Sequence, residues 1–288
     1  MNSLNEREMS VVRRAYAKQV MFASGVAVPR LETALAKVPR EAFLGPGPWE
    51  IMRPPGGYQM TPDNDPVYLY QDVLVGMISP KGLNNGQPSF LMFLISLGQL
   101  SEGEKVVHIG AGRGYYTAVI AEMVGDAGAV TAIEYEPDLA VRAAANLSGY
   151  SHVRVVQGDG FTMPLDPSDV IYINAGVARP ADTWLDAIKD GGRLVLPLTV
   201  SFTADDGNAM TRGAIFLIER KGATYLAEWK SPTGIYPCVG ARDEVSEAAL
   251  VKAFNLGGWE KVTRLYRTGE IAEERCWVRG PGWSLAYS

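Results

Sequence analysis

The 288-residue chain has few of the residues that mark several large classes of protein. Its two histidines, His108 and His152, and its two cysteines, Cys238 and Cys276, form no cluster with metal-ligand spacing. It also has no G-x-S-x-G sequence, which argues against a hydrolase with a serine nucleophile. We therefore expect no metal site and no Ser-His-Asp triad.

Long apolar runs and an excess of basic residues are missing as well. No run approaches the ~20 apolar residues of a transmembrane helix, and residues 1–10 are polar with both signs of charge, unlike a secretory signal. The net charge is −5, whereas nucleic-acid binders usually present a basic face. Two cysteines so far apart favour free thiols over a disulfide. These features predict a cytoplasmic protein that binds neither a membrane nor nucleic acid.

The most informative segment is an apolar strand that runs through a glycine-rich turn into a helix. Residues 106–109 form the strand, and Gly110, Gly112 and Gly114 form the turn. Glycines let a ligand lie against the backbone, and the helix N-terminus offers N–H groups to it. A dinucleotide fingerprint would place its third glycine at Tyr115. The shorter G-x-G-x-G spacing is typical of S-adenosylmethionine (SAM) methyltransferases, although any α/β protein can use a glycine turn here.

Strand and helix patterns alternate through the middle of the chain. The predicted strands are 105–109, 129–134, 153–156, 170–173 and 193–198, and the predicted helices between them are 115–124, 136–147 and 181–189. Such alternation predicts an α/β fold with a mainly parallel sheet covered by helices on both faces. A hairpin is predicted around residues 220–222, a helix over 243–254 and short strands beyond residue 259.

The pattern divides the chain into three segments. Residues 1–66 form an N-terminal cap with helices over 6–22 and from Pro29, followed by an irregular Pro/Gly-rich segment, 45–66, that we interpret as a lid. Residues 67–240 form the cofactor-binding core, in which Pro88 opens a helix. Residues 241–288 form a C-terminal extension packed on the core.

Polar residues follow three successive strands of this core. Glu134 ends the second strand, Asp159 lies between glycines after the third, and Asn174 follows the fourth. Parallel sheets bind ligands at the carboxyl ends of their strands, where an acid can accept hydrogen bonds from ribose hydroxyls. A carboxylate such as Asp159 can accept from an adenine amine. The alternatives are an exposed acid for Glu134 and a simple Asp-Gly turn for Asp159.

Five segments together resemble the protein-L-isoaspartate O-methyltransferase family: Val38-Pro39-Arg40-Glu41-Ala42-Phe43, 107–119, Ile133-Glu134, Gly158-Asp159-Gly160 and 190–197. The resemblance runs from about residue 13 to residue 240. It implies a Rossmann-like class I methyltransferase fold with a seven-stranded sheet, and methyl transfer from SAM to an isoaspartyl carboxylate of a protein or peptide. The cofactor residues that it implies are His108, Gly110, Ala111, Gly112, Gly114, Tyr115, Thr117, Glu134, Tyr135, Asp159, Gly160 and Asn174.

The chain departs from the family pattern at two positions. The family usually has T-I-S-x-P before the helix that precedes the first strand, and its serine is linked to catalysis; here Gly86 replaces that serine. His108 replaces an acid that helps to hold the glycine turn and the ammonium end of the cofactor. A neutral His108 could accept a hydrogen bond and a protonated one would repel the ammonium, while a buried structural histidine is the alternative. The tail beyond Arg242 also exceeds the usual family length.

A carboxylate acceptor fits the absence of a catalytic histidine. A carboxyl group with a pKa of about 4 is already ionised at pH 7, so it needs donors that orient it and no general base. Asn84, Asn85, Gln87 and backbone N–H groups near Gly86 are the predicted orienting groups. Two alternatives stay open: a paralogue that methylates a small molecule or a modified peptide, and a non-catalytic nucleoside-binding or scaffold protein. The sequence does not predict the oligomeric state.

Overall fold

A computed structural model describes residues 4–55, 57–78, 81–203, 209–238 and 240–288. The chain folds into two compact units that alternate along the sequence. The first comprises Met1–Gly103, Ala111–Val130 and Glu136–Val155, and the second comprises Glu104–Gly110, Thr131–Tyr135 and Val156–Ser288. Among the described residues, no helix is both long enough and apolar enough to cross a bilayer.

The first unit is rich in helices. These are α1 (Glu6–Ser24), α2 (Pro29–Lys37), α3 (Glu41–Leu44), α4 (Pro88–Leu97), α5 (Tyr115–Val124) and α6 (Pro137–Asn146). Asn5 and Glu8 form a capping box at the start of α1. A proline stands in the first turn of α2, α4 and α6, where its missing N–H costs no hydrogen bond. The predicted helix starts at residues 6, 29 and 88 are confirmed.

Four short strands also belong to the first unit. β1 (Glu50–Met52) pairs with β2 (Tyr58–Met60), and β3 (Gly76–Ile78) pairs with β4 (Leu83–Asn84), both antiparallel. The prediction that 45–66 is wholly irregular is therefore wrong for β1 and β2. Ile51 of β1 is buried in a small apolar cluster, so tertiary burial overrides the local Pro/Gly signal. A 3₁₀ turn follows at Pro66–Leu69.

The chain also forms a ten-stranded sheet, most of which belongs to the second unit. Its strands are β5 (Lys105–Ile109), β6 (Ala129–Glu134), β7 (Val153–Gln157), β8 (Ser168–Ile173), β9 (Ile188–Thr203), β10 (Ala209–Lys221), β11 (Thr224–Thr233), β12 (Arg264–Tyr266), β13 (Cys276–Gly280) and β14 (Trp283–Ala286). Their order is β13-β14-β12-β11-β10-β9-β8-β5-β6-β7. β5 and β9 run parallel to β8, whereas the pairs from β9 to β13 are antiparallel.

This sheet confirms the predicted Rossmann-like α/β class and corrects the predicted number of strands. The seven strands β5 to β11 correspond to the predicted core, and the C-terminal extension adds β12, β13 and β14 beyond β11. Leu265 and Leu285 face each other in this addition and are both buried. Burying these side chains stabilises the extra strands, and β12 pairs with the start of β11 at Tyr225 and Leu226.

The segment before β9 also differs from its prediction. Helix α7 spans Asp182–Ala187, and β9 already begins at Ile188, which pairs with Ser168 of β8. Ile188 is fully buried, so pairing with β8 replaces the last turn of the predicted helix 181–189. Gly191 and Gly192, which directly follow the predicted helix, lie within β9. Helix α8 (Glu244–Leu256) follows the sheet's central hairpin. No disulfide joins the two cysteines.

Candidate active site

In the second unit, the turns after β5 and β8 meet at one edge of the sheet. The backbone N–H of Asn174 donates to the carbonyl of Ile109 at 2.8 Å, and that of Gly110 donates to Ile133 at 2.9 Å. Gly110 has a φ of +79°, and a Cβ atom there would lie 3.2 Å from the carbonyl oxygen of Asn174. A side chain at residue 110 would therefore be both strained and crowded.

Two acids lie at the same carboxyl edge of the second unit. Glu134 ends β6 and is 7% exposed, and its carbonyl accepts the N–H of Gly158 at 2.9 Å. The Asp159 carboxylate accepts the N–H of Phe161 at 2.9 Å and the hydroxyl of Thr162 at 3.1 Å. Asp159 thus orders its own turn, and its oxygens keep lone pairs for a further donor.

Gly160 and Tyr135 complete the predicted set in this unit. A Cβ at Gly160 would lie 2.6 Å from the Ile109 side chain, and its carbonyl accepts the indole N–H of Trp184 at 2.7 Å. Tyr135 is 46% exposed, and its carbonyl accepts the side-chain amide of Gln157 at 3.1 Å. Gly160 is thus fixed by close packing, whereas the side chain of Tyr135 is open to solvent.

The sequence analysis missed the chain near Cys238 and Gly240, which lies against Asp159. Gly240 has a φ of +83°, and a Cβ there would lie 2.8 Å from an oxygen of Asp159. The N–H of Cys238 donates to Gly176 at 2.7 Å. Burial raises the pKa of the Cys238 thiol to about 12, and the charges of Asp159 and Glu134 act in the same direction. No local motif marks this segment, so only the fold reveals it.

In the first unit, the rest of the glycine turn is tightly packed. Gly112 has a φ of +58°, and a Cβ there would lie 3.2 Å from the Met77 side chain. Gly114 has a φ of +91°, and a Cβ there would lie 2.8 Å from Leu147. Between them, the Arg113 guanidinium donates to the carbonyls of Leu44 at 2.5 Å and Met77 at 3.1 Å. Ala111 is buried. Both glycines are therefore needed for the shape of the turn.

The V-P-R-E-x-F stretch packs on the helix that follows this turn. The Tyr115 ring lies 5.8 Å from that of Phe43, and the Arg40 guanidinium lies 5.9 Å from the Tyr115 ring centroid. Tyr115 and Thr117 are both buried in the first turn of α5. The family-specific stretch thus supports the start of α5, and the cofactor roles of these two side chains stay predictions.

His108 is a buried, neutral histidine. It is fully buried in β5, and its ring centroid lies 5.0 Å from that of Tyr172. Burial lowers its pKa to about 3. Its imidazole is therefore uncharged at neutral pH and presents no positive charge to a cofactor ammonium group.

We expect His108 to make the protein less stable in mild acid. An unfolded histidine takes up a proton near pH 6.5 and folded His108 only near pH 3, so the unfolded state binds more protons between these values. The stability contributed by neutral His108 is complete above pH 6.5 and falls by about 2 kcal/mol at pH 5. Urea unfolding of wild type and H108Q at pH 7.5 and 5.0 measures this. Equal pH dependence in both proteins would contradict it.

The predicted acceptor loop lies in the first unit, and its asparagines hold its backbone. The side-chain oxygen of Asn84 accepts the N–H of Gly86, and that of buried Asn85 accepts the N–H of Val75, both at 2.9 Å. Gly86 has a φ of +76°, and a Cβ there would lie 2.6 Å from the Leu91 side chain. The loop is thus built around a glycine at the position where the family has serine.

Asp72 organises the end of this loop and the start of α4. Its carboxylate accepts the amide of Gln87 at 3.1 Å, the N–H of Ser89 at 2.7 Å and the hydroxyl of Ser89 at 2.6 Å. The Tyr116 hydroxyl donates to the carbonyl of Gly86 at 3.3 Å. The sequence analysis did not identify Asp72, because it lies 15 residues before Gln87 and outside any motif.

Comparison with known proteins gives consistent matches. A family model described as Protein-L-isoaspartate(D-aspartate) O-methyltransferase matches residues 18–206. The protein-L-isoaspartate O-methyltransferase of Ignicoccus hospitalis is 32% identical over 203 residues, which cover 68% of this chain and 83% of the relative. Protein-L-isoaspartate O-methyltransferase 1 of Rhodopseudomonas palustris is 34% identical over 70% of this chain and 76% of its own length. The protein-L-isoaspartate O-methyltransferase of Thermotoga maritima is 27% identical, and the match covers 69% of this chain and 58% of the relative.

Solved structures show the same fold. A protein-L-isoaspartate O-methyltransferase structure matches with a TM-score of 0.63 and 24% identity, over 89% of this chain and 74% of the other. A second match is a Plasmodium falciparum protein described as a beta-aspartate methyltransferase, in complex with S-adenosyl-L-homocysteine. Its TM-score is 0.60 and its identity 13%, and the match covers 78% of this chain and 97% of the other.

The family match over residues 18–206 shows that this chain is a SAM-dependent methyltransferase of class I, and its Rossmann-like sheet has the fold of that class. SAM is accordingly its cofactor. The match over residues 18–206 places the chain more narrowly: it belongs to the protein-L-isoaspartate O-methyltransferase family.

Proposed function

We propose that this enzyme methylates a carboxylate of a protein or peptide, and that the carboxylate of an isoaspartyl residue is its acceptor. The observation that carries the proposal is the family match over residues 18–206. The relatives named above are protein-L-isoaspartate O-methyltransferases. The V-P-R-E-x-F stretch, which is specific to the family, supports the start of α5 here.

The residues at the carboxyl edge of the second unit suit a nucleoside. Gly110 leaves room where a Cβ would crowd the Asn174 backbone, and Glu134 and Asp159 supply carboxylates at the ends of neighbouring strands. We infer that Glu134 accepts from the ribose hydroxyls and Asp159 from the adenine amine. When bound, SAM supplies a methyl group on a positively charged sulfur.

A carboxylate acceptor agrees with the side chains that this chain offers for catalysis. Methyl transfer from a sulfonium is an in-line displacement that depends on orientation, and an ionised carboxylate needs no general base. His108 is neutral and buried, so it is poorly suited to proton transfer. The exposed carboxamide of Gln87 in loop 84–87 can orient the substrate, whereas the N–H groups of Asn85 and Gly86 already donate to Val75 and Asn84.

Methyl transfer from labelled SAM to an L-isoaspartyl peptide tests this proposal, with the L-aspartyl peptide of the same sequence as control. We expect label in the isoaspartyl peptide only, in a product that releases label in mild base, because it is a methyl ester. E134Q should bind S-adenosylhomocysteine at least about tenfold more weakly, since it loses charge-assisted hydrogen bonds. A base-stable product would rule out carboxyl methylation.

The glycine at residue 86 favours a different methyl acceptor for the same SAM-dependent methyl transfer. Gly86 takes the place of the family serine in a backbone conformation that disfavours serine. A paralogue that methylates a small molecule or a modified peptide would need no serine there. Tight S-adenosylhomocysteine binding without any transfer to isoaspartyl peptide would support this second candidate.

A further inference from the structure

Gln87 and Asp72 form a pair whose chemistry fixes the orientation of an amide. Gln87 is exposed and precedes α4, and its side-chain nitrogen lies 3.1 Å from a carboxylate oxygen of Asp72. An ionised carboxylate only accepts hydrogen bonds. The NH₂ group of Gln87 must therefore face Asp72, although amide orientation is otherwise assigned from the surrounding network.

Asp72 is itself firmly held. The same carboxylate accepts the backbone N–H and the hydroxyl of Ser89 in the first turn of α4, so it caps the helix from a distance. On either side, the carbonyls of Gln71 and Val73 accept hydrogen bonds from the Arg40 guanidinium at 2.8 Å and 3.0 Å. The backbone around Asp72 is thus anchored to a buried side chain.

We propose that Asp72 is a positioning residue for the acceptor. By holding the NH₂ group of Gln87, it directs the carboxamide oxygen of Gln87 toward the substrate peptide. That oxygen then accepts a hydrogen bond from the backbone N–H of the residue that is methylated. A carboxamide is planar, so its oxygen points away from the group that its nitrogen contacts. This inference rests on the proposed function, in which loop 84–87 orients the acceptor. It identifies a peptide N–H next to the carboxylate as one feature that the enzyme recognises.

Two peptides separate the roles of the two residues. One is the L-isoaspartyl peptide, and the other carries a methyl group on the isoaspartyl backbone nitrogen and has no N–H there. We expect wild type to prefer the first peptide by about tenfold in kcat/KM. Q87M has no carboxamide, and its remaining preference measures the steric effect of the added methyl group alone.

In D72N, the carboxamide that replaces the Asp72 carboxylate can still accept the N–H of Ser89 but can also donate to the Gln87 oxygen. The Gln87 carboxamide is then free to reverse, and we expect the preference to fall to the level of Q87M. The KM for SAM should stay within about twofold of wild type. D65N is the matched control, because Asp65 caps the short 3₁₀ turn at Pro66–Leu69 and asparagine caps equally well; its preference should equal that of wild type.

The outcomes separate the two proposals. A wild-type preference no greater than that of Q87M would overturn the inference and leave the proposed function standing. A wild-type preference that persists in D72N would overturn the role of Asp72. The absence of transfer to either peptide would overturn the inference together with isoaspartyl methylation itself.

Discussion

Restoring the family serine by G86S should destabilise this protein by about 2–5 kcal/mol. Gly86 has a φ of +76°, a conformation that costs a residue with a Cβ roughly 1–2 kcal/mol. The new Cβ would also lie 2.6 Å from Cδ1 and 3.1 Å from Cγ of Leu91. Leu91 is buried in α4, and forcing such a side chain aside typically costs about 1–3 kcal/mol. Urea unfolding gives the difference in free energy.

G222S is the matched control for G86S. Gly222 also has a positive φ, +60°, but no atom lies within 4 Å of a Cβ built there. G222S therefore carries the backbone cost alone, about 1–2 kcal/mol, and the difference between the variants isolates the contact with Leu91. If G86S were as stable as wild type, the loop could accept the family serine, and our account of Gly86 would fail.

Replacing Arg40 by methionine should destabilise the protein by about 3–5 kcal/mol. Arg40 is 0% exposed, and its guanidinium donates to the carbonyls of Leu69, Gln71 and Val73 at 2.6 Å, 2.8 Å and 3.0 Å. Removing a buried charge recovers some desolvation energy. The variant nevertheless leaves three carbonyls without these donors. The buried carbonyl of Leu69 costs about 1–3 kcal/mol, and the part-buried carbonyls of Gln71 and Val73 cost about 1 kcal/mol each. We expect this loss to dominate.

R30M provides the comparison for R40M in the same unfolding experiment. Arg30 is exposed, and its guanidinium donates to one carbonyl, that of Met123, at 2.7 Å. Its replacement should cost about 1 kcal/mol or less. A loss in R40M no greater than that in R30M would show that Arg40 does not anchor segment 69–73. The R40M enzyme should also have a raised KM for peptide, because Asp72 lies in that segment.

The regular elements were predictable where short stretches carried their own signals. The predicted bounds of β5, α5 and β6 agree residue for residue with the structure. Each combines an apolar pattern with a glycine or an acid at its end, and such patterns act within a few residues. The same signals placed Glu134, Asp159 and Asn174 after successive strands, where the second unit has them.

These local signals did not predict the pairing of strands that lie far apart in the sequence. Ile188 continues a helical pattern, yet it pairs with Ser168 and belongs to β9. The strands of the C-terminal extension carry aromatic and branched residues, but nothing in them specifies that they join the main sheet next to β11. Pairing of this kind depends on which edge the rest of the fold leaves open, and a local pattern carries no such information.

The sequence by itself determined the class of fold, the glycine turn, the cofactor and the family, because short motifs of adjacent residues indicate each of them. The tertiary structure alone decided that Asp72 accepts hydrogen bonds from Gln87 and Ser89. It also decided that Gly240 packs against Asp159 and that Leu91 packs against Gly86. These contacts join residues that only chain folding brings together, and their energies depend on burial and geometry that no short segment possesses.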